Sequence, residues 1–250
     1  MRLSPQERAD RRNAFIKMNM TEKIDYIWSY YKFPVIMAII LIYIIIYAGY
    51  RHFSEKETAL YIACVNISTS ENTESALFDG FLDFAGIDRK KNKIYIYQAL
   101  YLSDNPTLAN HEYAYASRLK LLAAANAGQL DIFLMNREAY DILSESGYLL
   151  ELPPVLEQEN PELLGKLRPF LIENNIILKD NAIERDLNET DEYYAVTKRE
   201  INAAEISGFP VLREIDFTDE IFLGIAPNSP RLANAMEYIN YLLSDPGLSL

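Results

Sequence analysis

Residues 121–152 read LLAAANAGQLDIFLMNREAYDILSESGYLLEL. A helix over His111–Ala127 runs into this stretch, with Leu119, Leu121, Leu122 and a run of alanines. Gly128 is its natural stop, because glycine accepts the left-handed conformation that closes a helix. Leu130–Met135 (LDIFLM) is short and almost wholly apolar, which predicts a buried strand. Arg137–Ser146 predicts a further helix, closed by Gly147. Parallel strands need a crossover, usually a helix, so helix–strand–helix in close succession predicts a parallel α/β sheet.

The same alternation extends outward. Ala59–Asn66 (ALYIACVN) is a second apolar run fitting a buried parallel strand. Glu71–Gly86 places Leu77, Phe81, Leu82 and Phe84 on a helical stripe, and Lys93–Leu100 (KIYIYQAL) has the β-branched and aromatic content of a strand. Glu151–Asn160, with Pro153 and Pro154, reads as a crossing or loop. Pro161–Ile172 follows as a helix, with strands at Ile176–Lys179, Glu192–Thr197 and Glu220–Ala226. Pro230 opens a last helix to Ser244. Cys64, the one cysteine, falls inside the first strand as a buried residue.

Charge divides the chain differently. The net charge is −12 over 250 residues, but residues 1–32 carry +3, residues 33–50 carry none and residues 51–250 carry −15. The uncharged segment, FPVIMAIILIYIIIYAGY, would rise about 27 Å as a helix, close to the hydrocarbon thickness of a bilayer. Trp28, Tyr30 and Tyr31 stand before it and Tyr43, Tyr47 and Tyr50 toward its end, where amphipathic rings favour the interfaces. Pro34 fits a first helical turn. A cleaved signal peptide fits less well, since 32 residues precede the run and Ala48-Gly49-Tyr50 offers no small-residue cleavage site. The expectation is a single-pass anchor in the cell membrane over 33–50, with the basic arm 1–32 in the cytoplasm. Residues 51–250 are then extracellular: a linker at 51–57 and an α/β domain at 58–250. In the arm, Thr21 can cap a helix whose Ile24, Ile27, Trp28 and Tyr31 form one apolar stripe, either an interfacial helix or a juxtamembrane turn.

The stretch 121–152 resembles extracellular solute-binding proteins of the type 2 periplasmic-binding fold, through Ala125, Gly128, Asp131, Phe133, Tyr140, Gly147, Leu152 and Pro153. The tail IFLGIAPNSPRLANAMEYINYLL resembles the family's late strand, Asn-Ser turn and helix, through Asn228, Ser229 and Arg231–Leu243. The resemblance implies non-enzymatic ligand capture, with a transporter or envelope protein as partner. Residues 58–250 are short for two full lobes, so it implies a reduced form with 151–210 as the expected second lobe. Anchor and basic arm together look like small membrane-tethered proteins of Gram-positive bacteria.

No Gly-x-Ser-x-Gly elbow, His-Glu-x-x-His or phosphate-binding glycine loop occurs, so no catalytic residue, cofactor or metal is expected. Glu184, Asp186, Glu189, Asp191 and Glu192 match no EF-hand spacing. The acidic domain argues against nucleic acid. In open α/β sheets the binding crevice lies outside the C-terminal ends of the strands. That rule selects Asn66, Ser68, Thr69 and Ser70 after the first strand, and Asn136 and Arg137 after the third. Helix N-termini there suit an anionic or polyhydroxylic ligand, and Arg137 offers a fork for a carboxylate or phosphate. Tyr193 and Tyr194 are expected to close on it from the second lobe. Capping by the Ser and Thr residues and packing by the tyrosines answer the same pattern. An envelope scaffold that docks a partner and binds no small molecule is the alternative function.

Overall fold

A computed structural model of the chain describes residues 6, 13–14, 16–54, 56–68, 74–104, 110–182, 192–212 and 220–244, without the side chains at 26, 27, 30, 31, 48, 51–54, 75 and 76. It divides into two compact units, Met1–Glu55 and Lys56–Leu250.

The first unit is built on helix α1, Met20–Ser54. Asn19 opens it rather than Thr21. The Met20 N–H donates to Asn19 Oδ1 at 2.8 Å, and Glu22 Oε2 reaches back to accept from the Asn19 N–H at 2.9 Å. That return bond is one half of a capping box. Pro34 lies inside the helix instead of in its first turn, because the amphipathic stripe before it is already helical. The helix also runs through most of the expected linker, to Ser54. Its described isoleucines between 36 and 46 are exposed. Among the described residues no helix is long and apolar enough to cross a membrane.

The second unit is a mixed α/β fold. Its strands are β1 (Glu57–Val65), β2 (Asn92–Leu100), β3 (Ile132–Met135), β4 (Leu171–Asp180), β5 (Ala195–Glu205) and β6 (Phe222–Ile225), in one sheet of order β2-β1-β3-β6-β5-β4. β1 pairs parallel with both β2 and β3, as expected. The other half departs from a parallel sheet: β6 is antiparallel to β3 and β5, and β4 is antiparallel to β5. Every residue of β3 and β6 is buried, so both need helices on both faces, and neither run reveals its direction.

Helices cover both faces. On one side lie a π-helical turn (Ser75–Asp79), α2 (Phe81–Phe84), α5 (Leu152–Glu159), α6 (Pro161–Leu167) and α7 (Leu232–Leu243). They meet Leu60, Ile62, Cys64, Ile132, Leu134, Leu223 and Ile225. On the other side α3 (His111–Asn126) and α4 (Arg137–Glu145) meet Ala63, Val65, Phe133, Met135 and Phe222. Alternate side chains of each strand thus feed alternate cores, the period of two that a pleated strand imposes. Gly128 at φ +62° and Gly147 at φ +70° end α3 and α4 as expected.

Three further expectations change. Residues 152–159 are helical: Pro153 and Pro154 stand in the first turn, where a missing N–H costs nothing. The helix from Pro161 stops at Leu167, and β4 takes over at Leu171 after a 3₁₀ turn. The described part of 151–210 forms no second lobe. β4 and β5 pair with each other from Leu171↔Ala204 to Asp180↔Ala195, as a long hairpin on the edge of the same sheet.

Candidate functional site

The chain leaves β1 for β2 on one side and reaches β3 on the other. This reversal opens a crevice at the C-terminal ends of the strands. A groove of about 490 Å³ lies there, within the size range of small-molecule sites. β1 delivers Asn66, Ile67 and Ser68 to it, β2 delivers Gln98 to Leu100 with Tyr101 behind them, and α4 delivers Asn136 and Glu138. Glu74 and Tyr113 complete the walls.

The backbone is unusual where these strands end. β2 carries an extra residue between Ala63↔Tyr97 and Val65↔Leu100, a bulge. Within it Ala99 sits at φ +54°, a left-handed conformation that costs a residue with a Cβ about 1–2 kcal/mol. Asn66 is also left-handed, at φ +56°, which asparagine tolerates. Its amide clamps the strand end: Nδ2 donates to the Leu102 carbonyl and Oδ1 accepts from the Leu102 N–H, each at 2.7 Å. Asn136 Oδ1 accepts from the Ala139 N–H at 3.0 Å and so caps α4. Gln98 Nε2 donates to Glu74 Oε1 at 2.5 Å, and the Tyr113 hydroxyl donates to the Ala99 carbonyl.

The structure therefore brings together Asn66, Ser68 and Asn136, and spends both asparagines on backbone groups. Thr69 and Ser70 lie outside the described residues. Arg137 does not line the groove: its guanidinium lies over Tyr140 and Phe222, 5.6 and 5.4 Å from the ring centroids, with Nε 3.4 Å from Asp141. Tyr193 and Tyr194 do not close on it either. Glu205 is level with Phe222 and Met135 at the groove edge, whereas Tyr194 precedes Ala195 at the other end of β5. At about 3.3 Å per residue that end is roughly 33 Å away along the strand. The expectation failed because it rested on a second lobe folding back. Gln98, Tyr101 and Tyr113 escaped the sequence reading, although β2 is parallel to β1 and ends at the same edge.

The opposite end of β3 holds a closed polar node. Asp131 is fully buried. Its carboxylate accepts from the Tyr61 N–H at 2.7 Å, the Ser229 hydroxyl at 2.6 Å and Arg231 Nε at 2.8 Å. Arg231 also donates to the Gly128 carbonyl at 2.5 Å and lies 4.6 Å from the Tyr61 ring centroid. Another buried network joins α4 to the hairpin: the Tyr140 hydroxyl donates to Asn202 Oδ1 at 3.0 Å, and Asn202 Nδ2 donates to Ser144 Oγ at 2.8 Å. Burial, above all, pushes the Tyr140 hydroxyl up to about 12. Burial first, and Glu74 second, push the Cys64 thiol up to about 12, so it is no thiolate nucleophile at neutral pH. Among the described residues no group of three His, Cys, Asp or Glu side chains could hold a metal ion. Residues 184, 186, 189 and 191 of the acidic segment lie outside them.

No protein-family model matches the chain, and no curated protein matches it. Among solved structures, the PBP AttC of Agrobacterium tumefaciens in an open unliganded conformation is similar at 11% identity, over 76% of this chain and 80% of that one, with a TM-score of 0.34.

Proposed function

We propose that the chain is a membrane-anchored extracellular domain, a reduced relative of type 2 solute-binding proteins, that captures a small polar ligand without chemistry and hands it to a transporter. The groove at the C-terminal edge of β1, β2 and β3 carries this reading. It lies where an α/β sheet with a switch point binds ligands, and it mixes amide, carboxylate and aromatic walls. The sequence resemblance supports the class. The uncharged run 33–50 with its basic flank supports an anchor whose N-terminus is cytoplasmic.

Surface proteolysis of intact cells tests the topology: residues 51–250 are lost and a tag at Met1 is spared. Loss of the tag instead reverses it. For capture, a metabolite screen by thermal shift on the full chain should find a ligand that raises Tm by mass action. The rival docking scaffold is favoured by Tyr115, Leu119 and Leu122, exposed at i, i+4 and i+7 on α3. A screen without any ligand, together with loss of a cell-surface partner on Leu119→Asp, would put that reading ahead.

A further inference from the structure

The groove's own charges restrict what can enter it. From the sequence, helix N-termini at this edge suit an anionic or polyhydroxylic ligand. In the structure the chain places two carboxylates of its own at this edge, and Glu74 already accepts from Gln98 Nε2. Glu74 stands immediately before the π-helical turn that begins at Ser75, and Glu138 lies in the first turn of α4; both line the groove. A carboxylate at a helix N-terminus meets the positive end of the helix dipole, which a bound anion would otherwise do. The Asn136 cap takes up a further N–H of α4.

Among the described residues no lysine or arginine lines the groove. Arg137, the nearest in sequence, is held over Tyr140 and Phe222 with Asp141 beside it. Arg118 is paired with Asp104 at 2.7 Å. The remaining walls include the end of β2 and the rings of Tyr101 and Tyr113, whose faces attract cations.

We infer that the groove selects cationic, amine-bearing small molecules, with an ammonium group between Glu74 and Glu138 and the ligand body against Tyr101 and Tyr113, and that it rejects anions. This rests on the capture reading and names its ligand class. A volume of about 490 Å³ suits an amino sugar or a short polyamine.

Calorimetric titration of the full chain in detergent tests it, with five probes: spermidine, glucosamine, N-acetylglucosamine, citrate and inorganic phosphate. At least one of the two amines should bind, and the last three should not. Binding should weaken as sodium chloride is raised. Glu138→Gln and Glu74→Gln keep size and hydrogen bonding but remove charge; each should weaken the amine at least tenfold with an unchanged circular dichroism spectrum. If N-acetylglucosamine or an anion binds better than the amines, the charge selection is wrong and the capture reading survives. An amine that binds wild type and both variants equally places the cation elsewhere and overturns the inference. If none of the five binds, the inference falls; the capture reading falls only if the wider metabolite screen is empty too.

Discussion

The N-terminal end of β3 leads back to Asp131, wholly buried and accepting three hydrogen bonds from β1, the turn after β6 and Arg231. Its C-terminal end leads to Asn136 and Glu138, which border an open groove. The two ends stand only a short strand apart, and both put polar residues beside backbone N–H groups. The difference lies in what covers them. The turn Asn228–Arg231 folds over the first end and satisfies it from within the chain. Nothing among the described residues covers the second, and its carboxylates face a hollow. A polar group at a strand end therefore becomes a structural lock or a candidate binding group according to whether a distant segment closes on it.

Breaking the lock should produce the largest effect. Asp131→Ala leaves Arg231 Nε, the Tyr61 N–H and the Ser229 hydroxyl without this acceptor, and should cost about 3–5 kcal/mol of unfolding free energy. Urea unfolding followed by circular dichroism measures it; a loss under about 1 kcal/mol would mean the node is not a lock.

Two buried hydroxyls sharpen the same contrast between satisfied and unsatisfied groups. Tyr140→Phe removes a donor from buried Asn202 and should cost about 1–3 kcal/mol. The Tyr238 hydroxyl is buried with no hydrogen-bond partner among the described residues, so Tyr238→Phe should be neutral or stabilise by up to about 1 kcal/mol. Equal losses in the two melts would contradict this.

On the groove side the effects should be smaller. Asn136→Ala removes the cap of α4 and should cost about 1 kcal/mol, with ligand binding changed less than by Glu138→Gln. Ala99→Gly relieves the left-handed alanine of the bulge and should raise stability by about 0.5–1 kcal/mol. A destabilised Ala99→Gly would show that the Ala99 Cβ contributes contacts worth more than the strain.

Much of the fold was legible, and the failures have physical causes. ALYIACVN and LDIFLM read correctly as buried strands, because continuous apolar runs bounded by turns have few other uses. Direction left no trace: a strand buried on both faces looks alike parallel or antiparallel, so β6 was indistinguishable from another parallel strand. β4 and β5 were found only as short pieces toward their outer ends; the inner ends were missed, Leu171 and Ile172 being assigned to the preceding helix. Pro153 and Pro154 suggested a loop because proline's cost depends on whether it stands first or later in a helix, which composition does not reveal. Of the site, Asn66, Ser68 and Asn136 followed from the strand-end rule, whereas Tyr193 and Tyr194 depended on a lobe that β4 and β5 replace with a hairpin.

By itself, then, the sequence determined what is local: the α/β alternation, the glycine stops at 128 and 147, and the uncharged run dividing a basic arm from an acidic domain. Those features rest on backbone conformation, side-chain period and charge within a few residues of one another. Only the tertiary structure decided that β6 lies antiparallel between β3 and β5, that Asp131 meets a guanidinium 100 residues away, and that Glu74 and Glu138 border one groove. Such pairings form when loop closure is offset by burial shared across the whole sheet, so no single segment carries their signature.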